Sequence, residues 1–150
     1  MGMVDVTDKP VIRRLAEARG KIYLNEKTIE AVRDGTIRKG DPLVVAEVAA
    51  MNAAKQTHLL IPHCHQIALD TIQVAFDVQD PFIEIRCLVR AQARTGVEME
   101  ALLAVSVGLN TVWDMVKYLE KNENGQYPDA RIGDIEVTKK EKEEQKRGER

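Results

Sequence analysis

The fold is decided by the stretch IEIRCLVRAQARTGVEMEALLAVSVGLNTVWDMVKYL, residues 83–119. Its first part alternates. Ile83, Ile85, Cys87, Val89 and Ala91 fall on one side of an extended chain and Glu84, Arg86 and Arg90 on the other, the period of a half-buried strand. After Thr95 the period changes to helical, with Val97, Ala101, Ala104, Val105, Gly108, Val112, Met115 and Leu119 recurring along one stripe. Thr95 and Glu98 have capping-box spacing, so the helix is expected to open at Thr95. Many residues of the stripe are small, which suits close packing against a sheet or a second copy of the helix.

Working outward, residues 69–78 alternate imperfectly, with Ile72, Val74 and Phe76 on one face. Asp80-Pro81 marks the turn between this run and the strand at 83–91, which predicts a hairpin. Upstream, Asp41 is an N-cap with Pro42 at the first helical position, opening an alanine-rich helix to about Lys55. Residues 28–33 read as a short helix closed by Gly35, and residues 21–25 as a short strand. Residues 11–18 hold too few apolar side chains for an assignment, and the first eleven residues read as an extended arm. Asn124-Gly125 ends the long helix, and residues 132–137 form a last short strand. The order strand, helix, strand, strand, helix, strand predicts an α+β, ferredoxin-like sandwich, an antiparallel sheet with helices on one face.

A chain of 150 residues, 44% apolar and 31% charged, makes about one globular domain. Its expected bounds are 1–138, with residues 139–150, six basic and four acidic, as a solvated tail. Two cysteines, Cys64 and Cys87, are too few for a disulfide framework. The N-terminus carries no signal-type apolar run and no uninterrupted apolar stretch is long enough to span a membrane, so a cytoplasmic location is expected. A net charge of −2 gives no general attraction for nucleic acid. An anionic substrate must be held by a local cluster.

Two polar segments carry the chemistry. His63-Cys64-His65, with His58, leaves three readings open: a zinc site, a polar catalytic loop stiffened by Pro62, or a structural loop. The long helix offers Glu98, explained by capping; Glu100, a first-turn carboxylate favoured by the helix dipole; and Asp114 with Lys117, three apart on one face. That pair is either a surface ion pair of little energetic weight or a proton-transfer pair in which each group shifts the other. Lys39 beside Gly40 is a candidate anion contact near a helix start. Glu100 and Asp114 are fourteen residues apart, about 21 Å along a helix, too far for one compact pocket. If both act in catalysis they serve different pockets, each completed by a neighbouring subunit.

Met3-Val4-Asp5-Val6, Lys39-Gly40-Asp41, Ile61-Pro62-His63-Cys64-His65, Thr95-Gly96-Val97-Glu98-Met99-Glu100-Ala101-Leu102 and Asp114-Met115-Val116-Lys117 resemble, in order and spacing, molybdenum cofactor biosynthesis protein C, the cyclic pyranopterin monophosphate synthase family. The likeness runs over roughly residues 3 to 140. It implies a lyase of molybdopterin synthesis that needs no cofactor. This lyase converts 3′,8-cyclo-7,8-dihydroguanosine 5′-triphosphate, received from a radical GTP cyclase, into cyclic pyranopterin monophosphate and pyrophosphate. It also implies a homo-oligomer, a hexamer built as a trimer of dimers with sites between subunits. By position, Asp114, Lys117 and Lys39 are the implied catalytic residues. His63, Cys64, His65, Glu98, Met99 and Glu100 are the implied substrate contacts. The chain departs from the family at His63, where many relatives have an apolar residue, and at its C-terminus, where the usual lysine followed by Ser-Gly-Gly is missing. Lys140 falls nearest that lysine and is carried over as a substrate contact. The absent glycine-rich segment argues against the rest of the tail taking part.

Overall fold

The computed structural model describes residues 1–143. Strand β1 (Ile12–Tyr23) is followed by helices α1 (Glu26–Asp34), α2 (Pro42–Lys55) and α3 (Thr57–Leu60). The hairpin β2 (Thr71–Val78) and β3 (Phe82–Ala93), helix α4 (Glu98–Glu120) and strand β4 (Arg131–Glu143) complete the chain. The four strands form one antiparallel sheet in the order β2-β3-β1-β4, and α2 and α4 cover one of its faces. This is the ferredoxin-like sandwich.

Alternation builds the core. The inward residues of β1 (Ala16, Ala18, Ile22) and β3 (Ile83, Ile85, Cys87, Val89) pack on Val105, Leu109, Val112 and Val116 of α4. Burial pushes the Cys87 thiol up to about 12, so it stays an apolar, unreactive side chain. Small residues bring α2 and α4 together. A Cβ at Gly108 would stand 2.5 Å from Ile85 Cδ1 and 3.5 Å from Ala50 Cβ, so glycine there is a packing requirement. The apolar stripe that makes α4 long and hydrophobic enough to cross a membrane on composition alone is buried against this sheet and α2.

The caps of the shorter helices follow the sequence. Asp41 Oδ1 accepts from Leu43 N at 2.9 Å, and Gly35 closes α1 with φ 69°. Three expectations need correction. Residues 12–18 belong to β1, which runs from Ile12 to Tyr23 and is far longer than the strand expected at 21–25. The last strand does not stop at 137, and residues 139–143 of the expected tail continue it, Lys140 pairing with Ala16 and Glu143 with Arg13; the rest of that tail, residues 144–150, lies outside the described residues. Finally, α4 opens at Glu98 with Val97 as N-cap and no side-chain cap, so the Thr95–Glu98 capping box is not formed.

The far end of α4 is locked to the β1–α1 turn. Glu120 is 5% exposed. Its two carboxylate oxygens accept from Asn25 N at 3.1 and 3.2 Å, and Thr28 Oγ1 donates to the same carboxylate. Asn25 in turn caps α1 by accepting from Thr28 N at 2.9 Å. Alanine at 120 would leave the half-buried Asn25 amide unpaired and the buried Thr28 hydroxyl with only Asn25 Oδ1, at 3.1 Å, as an acceptor. Glu120→Ala is expected to lower unfolding stability by about 2–3 kcal/mol. Urea denaturation checks this, and a loss within experimental error would show that the clamp carries no weight.

Candidate active site

Two groups of polar side chains stand at opposite ends of α4. The first lies in its C-terminal half. Asp114 receives Lys117 Nζ at 2.9 Å on Oδ1 and Lys39 Nζ at 3.2 Å on Oδ2, and Lys39 also reaches the Asp114 carbonyl at 3.1 Å. Lys39 comes from the turn before α2, closed by Gly40 N donating to Ile37 O at 3.1 Å. Tyr118 fixes that turn to α4. Its hydroxyl accepts from Arg38 N at 2.8 Å, and the Arg38 guanidinium lies 4.6 Å from its ring centroid. Sequence reasoning did not find Arg38 and Tyr118. Their signal, a basic residue beside Lys39 and an aromatic one beside Lys117, has no meaning until the turn and the helix meet.

This trio is open to solvent, with side chains 46, 59 and 41% exposed for Lys39, Asp114 and Lys117. Lys117, and then Lys39, hold the Asp114 carboxyl below the usual aspartate value. Asp114 holds the Lys117 ammonium above the usual lysine value. The arrangement is one fixed anion between two fixed cations, with ammonium protons free for an incoming anion.

The second group surrounds the first turn of α4. The Glu98 side chain folds back over Gly96, where any Cβ would overlap its carboxyl oxygens. Its Oε1 stands 2.7 Å from Lys140 Nζ of β4, an ion pair set off the axis of a directional hydrogen bond. Lys140 therefore takes the place expected of Thr95. Burial raises the Glu98 pKa, but Lys140, its own backbone N–H and the Arg14 charge together outweigh burial and leave it below the usual glutamate value. Arg14 is a residue that sequence reasoning missed. It is 8% exposed, on the inward face of β1, and donates from Nε to Ala93 O at 3.3 Å. No local sequence signal marks it, because the strand that buries it carries too few apolar side chains to be read as one.

Glu100 could be read locally as a solvated first-turn carboxylate, beside the substrate contact that the resemblance implies. It is 4% exposed instead, and burial, with the neighbouring Glu98, raises its pKa. Cys64 lies within its field, and burial followed by the Glu100 charge raises the thiol pKa. The thiol is thereby kept protonated, a donor and not a nucleophile. Met99 is 38% exposed and turns outward between Glu98 and buried Glu100. His65 Nε2 contacts the Val4 carbonyl at 2.7 Å, which brings the N-terminal arm against the loop. Val6, Val11, His65, Gln92, Arg94 and Thr95 are among the residues lining an open cleft of about 330 Å³ there. His63 is exposed on the same loop.

The zinc reading loses its ligand set. Among the described residues no three His, Cys, Asp or Glu side chains converge as metal ligands. His58 lines a different cleft with Lys55 and Gln66.

The structure thus brings Lys39, Asp114 and Lys117 together, and Cys64, Glu98, Glu100 and Lys140 together. Within one protomer it does not join the two groups. Glu100 and Asp114 both lie on the continuous helix α4, about 21 Å apart.

Relatives of known type share this chain almost end to end. A protein of Methanothermobacter thermautotrophicus, described as a probable cyclic pyranopterin monophosphate synthase accessory protein, is 51% identical over 140 residues, 93% of this chain and 88% of its own. One of Thermococcus kodakarensis, described as a probable cyclic pyranopterin monophosphate synthase, is 50% identical over 143 residues, 95% of this chain and 92% of its own. One of Thermoplasma acidophilum with the same description is 43% identical over 140 residues, 93% and 98% of the two chains. The model of the MoaC family matches residues 3–143, a span that takes in both polar groups and the whole sheet. By that match and these identities, the chain belongs to the MoaC family.

Proposed function

We propose that the protein is a cyclic pyranopterin monophosphate synthase. It converts 3′,8-cyclo-7,8-dihydroguanosine 5′-triphosphate, supplied by a radical enzyme that cyclises GTP, into cyclic pyranopterin monophosphate and pyrophosphate. The observation that carries this reading is the pairing of a cationic group, Lys39 and Lys117 fixed by Asp114, with an acidic group, buried Glu100 and half-buried Glu98. Both are drawn from the segments that resemble the family. A polyanionic nucleotide with a purine ring to be opened and reclosed calls for both kinds of group.

The division of labour follows from charge. Lys39 and Lys117 hold the phosphates and favour departure of pyrophosphate when a substrate hydroxyl attacks the innermost phosphorus. Lys140 and Arg14 add positive charge at the other end. Glu100, raised by burial, is the carboxyl of this group whose protonated form the site favours. Cys64 lies within its field, and His63, His65 and Met99 are the further substrate contacts that the resemblance implies.

We infer that a working site is assembled from two protomers, the Asp114 group of one facing the Glu100 group of another, in a hexamer arranged as a trimer of dimers. The distance along α4 supports this, since one protomer cannot bring both groups to a single substrate. Exposed apolar side chains on α2, Val44 and Val48 at 57 and 55% exposure, are the kind of surface that self-association covers.

The test supplies the cyclised triphosphate to the purified protein and measures pyrophosphate and pyranopterin together. Both are expected in equal amounts, and GTP itself is expected to yield neither. Tight binding without pyrophosphate release would sink the catalytic reading and favour an accessory role.

A further inference from the structure

The N-terminal arm has an arrangement that the reaction above does not require. Val4 is 73% exposed, so its side chain does not anchor it. Its carbonyl, however, sits 2.7 Å from His65 Nε2. The arm is shaped for this contact by its own bonds. Asp5 Oδ1 accepts from Thr7 N at 2.9 Å, and Lys9 N donates to Val6 O at 3.0 Å. The Asp5 carboxylate is close enough to His65 for their charges to interact.

A carbonyl oxygen can only accept. A ring nitrogen at that distance must carry the proton, because the other tautomer would set two lone pairs against each other. With Nε2 protonated, the neutral ring has one bare nitrogen, Nδ1. Resting on the functional reading above, we propose that the arm is a working part of the active site. The Val4 carbonyl fixes His65 in the Nε2–H form, so that the ring takes a proton from the substrate on Nδ1. The imidazolium then formed keeps its Nε2–H bond to Val4, strengthened by the new charge, and returns the Nδ1 proton to product or water. Val4 is a positioning group, and His65 is the group that touches substrate.

The arm also narrows where the proton can come from. Val6 and Val11 of the arm line the same cleft as His65, together with Arg94 and Thr95. Asp5, whose charge reaches His65, and Arg94, which lines the cleft, are charged groups of opposite sign here. Neither offers the carbonyl's fixed, uncharged acceptor.

Full-length protein labelled with 15N-histidine reads the tautomer directly. His65 is expected wholly in the Nε2–H form, whereas a free imidazole populates both. Placing the α-hydroxy analogue of aspartate at position 5 turns the Val4–Asp5 amide into an ester, whose carbonyl is a weaker acceptor. The Nδ1–H form of His65 should then appear, and kcat should fall several-fold with KM little changed. His65→Gln keeps a donor for Val4 but has no basic nitrogen, and should lose about a hundredfold in kcat. A wild-type protein with His65 mainly Nδ1–H would overturn the proposal. So would an ester variant with unchanged tautomer and rate, or an active His65→Gln protein. A wild-type protein inert toward the cyclised triphosphate would instead sink the functional reading, and the tautomer spectra would still decide the role of the arm.

Discussion

An Asp114→Asn protein and a Glu100→Gln protein, each without turnover by itself, are expected to regain it when co-expressed. The reasoning is geometric. In a two-protomer site, one protomer supplies Asp114 with Lys39 and Lys117, bound at 3.2 Å or less, and the other supplies buried Glu100. A mixed dimer then contains one site with both defects and one site with neither. Random mixing makes half the dimers mixed, so about a quarter of wild-type sites return. A pairing within one group is the control. Asp114→Asn with Lys117→Ala can assemble no intact site if both residues belong to the same half, and should stay inactive. Recovery in the first mixture alone supports a shared site. Inactivity of the first mixture, with mixed oligomers demonstrated by tagged subunits, removes the two-protomer arrangement.

The parts of this fold that sequence revealed are those whose order is local. The stripe of α4, the β2–β3 hairpin and the Asp41 cap of α2 depend on neighbours within a few residues, and each stands where the pattern placed it. What escaped depends on partners far along the chain. The inward face of β1 reads Ile12, Arg14, Ala16, Ala18, Gly20, with a buried arginine and a glycine where apolar side chains would signal a strand, while Leu15 sits on the opposite face. The end of β4 looks like a solvated tail because every residue from 139 to 143 is charged; it is a strand because β1 offers it an unpaired edge. Glu98 shows the same limit in a single side chain. Its spacing from Thr95 fits a cap, but a lysine 42 residues onward, Lys140, claims the carboxylate. For the site, Asp114 with Lys117 was visible as an i, i+3 pair. Lys39 was legible by itself as a candidate anion contact near a helix start, but it joins them only through tertiary structure, and the family resemblance, not the spacing, put the three in one site.

The largest loss of rate is expected from breaking that trio, and its pH behaviour separates two roles that a simple loss would leave confounded. Asp114→Asn and Lys117→Ala should each reduce turnover by about a hundredfold or more while the protein stays folded and assembled. Asp114 is held below the usual aspartate value by Lys117 and Lys39, so it is an anion throughout the neutral range and a weak base. Lys117 is held above its ordinary value of 10.5 by Asp114, so it is a cation throughout that range and slow to give up its proton. The free enzyme therefore presents a fixed ammonium for phosphate, and the carboxylate keeps it charged. Removing the carboxylate reverses the shift. The Lys117 pKa falls, pushed further by Lys39 now left beside it without an intervening anion. The alkaline limb of kcat/KM should thus move to lower pH in Asp114→Asn, whereas the loss of a titrating base at 114 would abolish an acidic limb and leave the alkaline one in place. Lys117→Arg completes the argument, because arginine keeps the charge but gives up no proton. Substantial activity in Lys117→Arg assigns the lysine an electrostatic role at the phosphates; inactivity there, with normal substrate binding, assigns it the proton that the leaving or opening group requires.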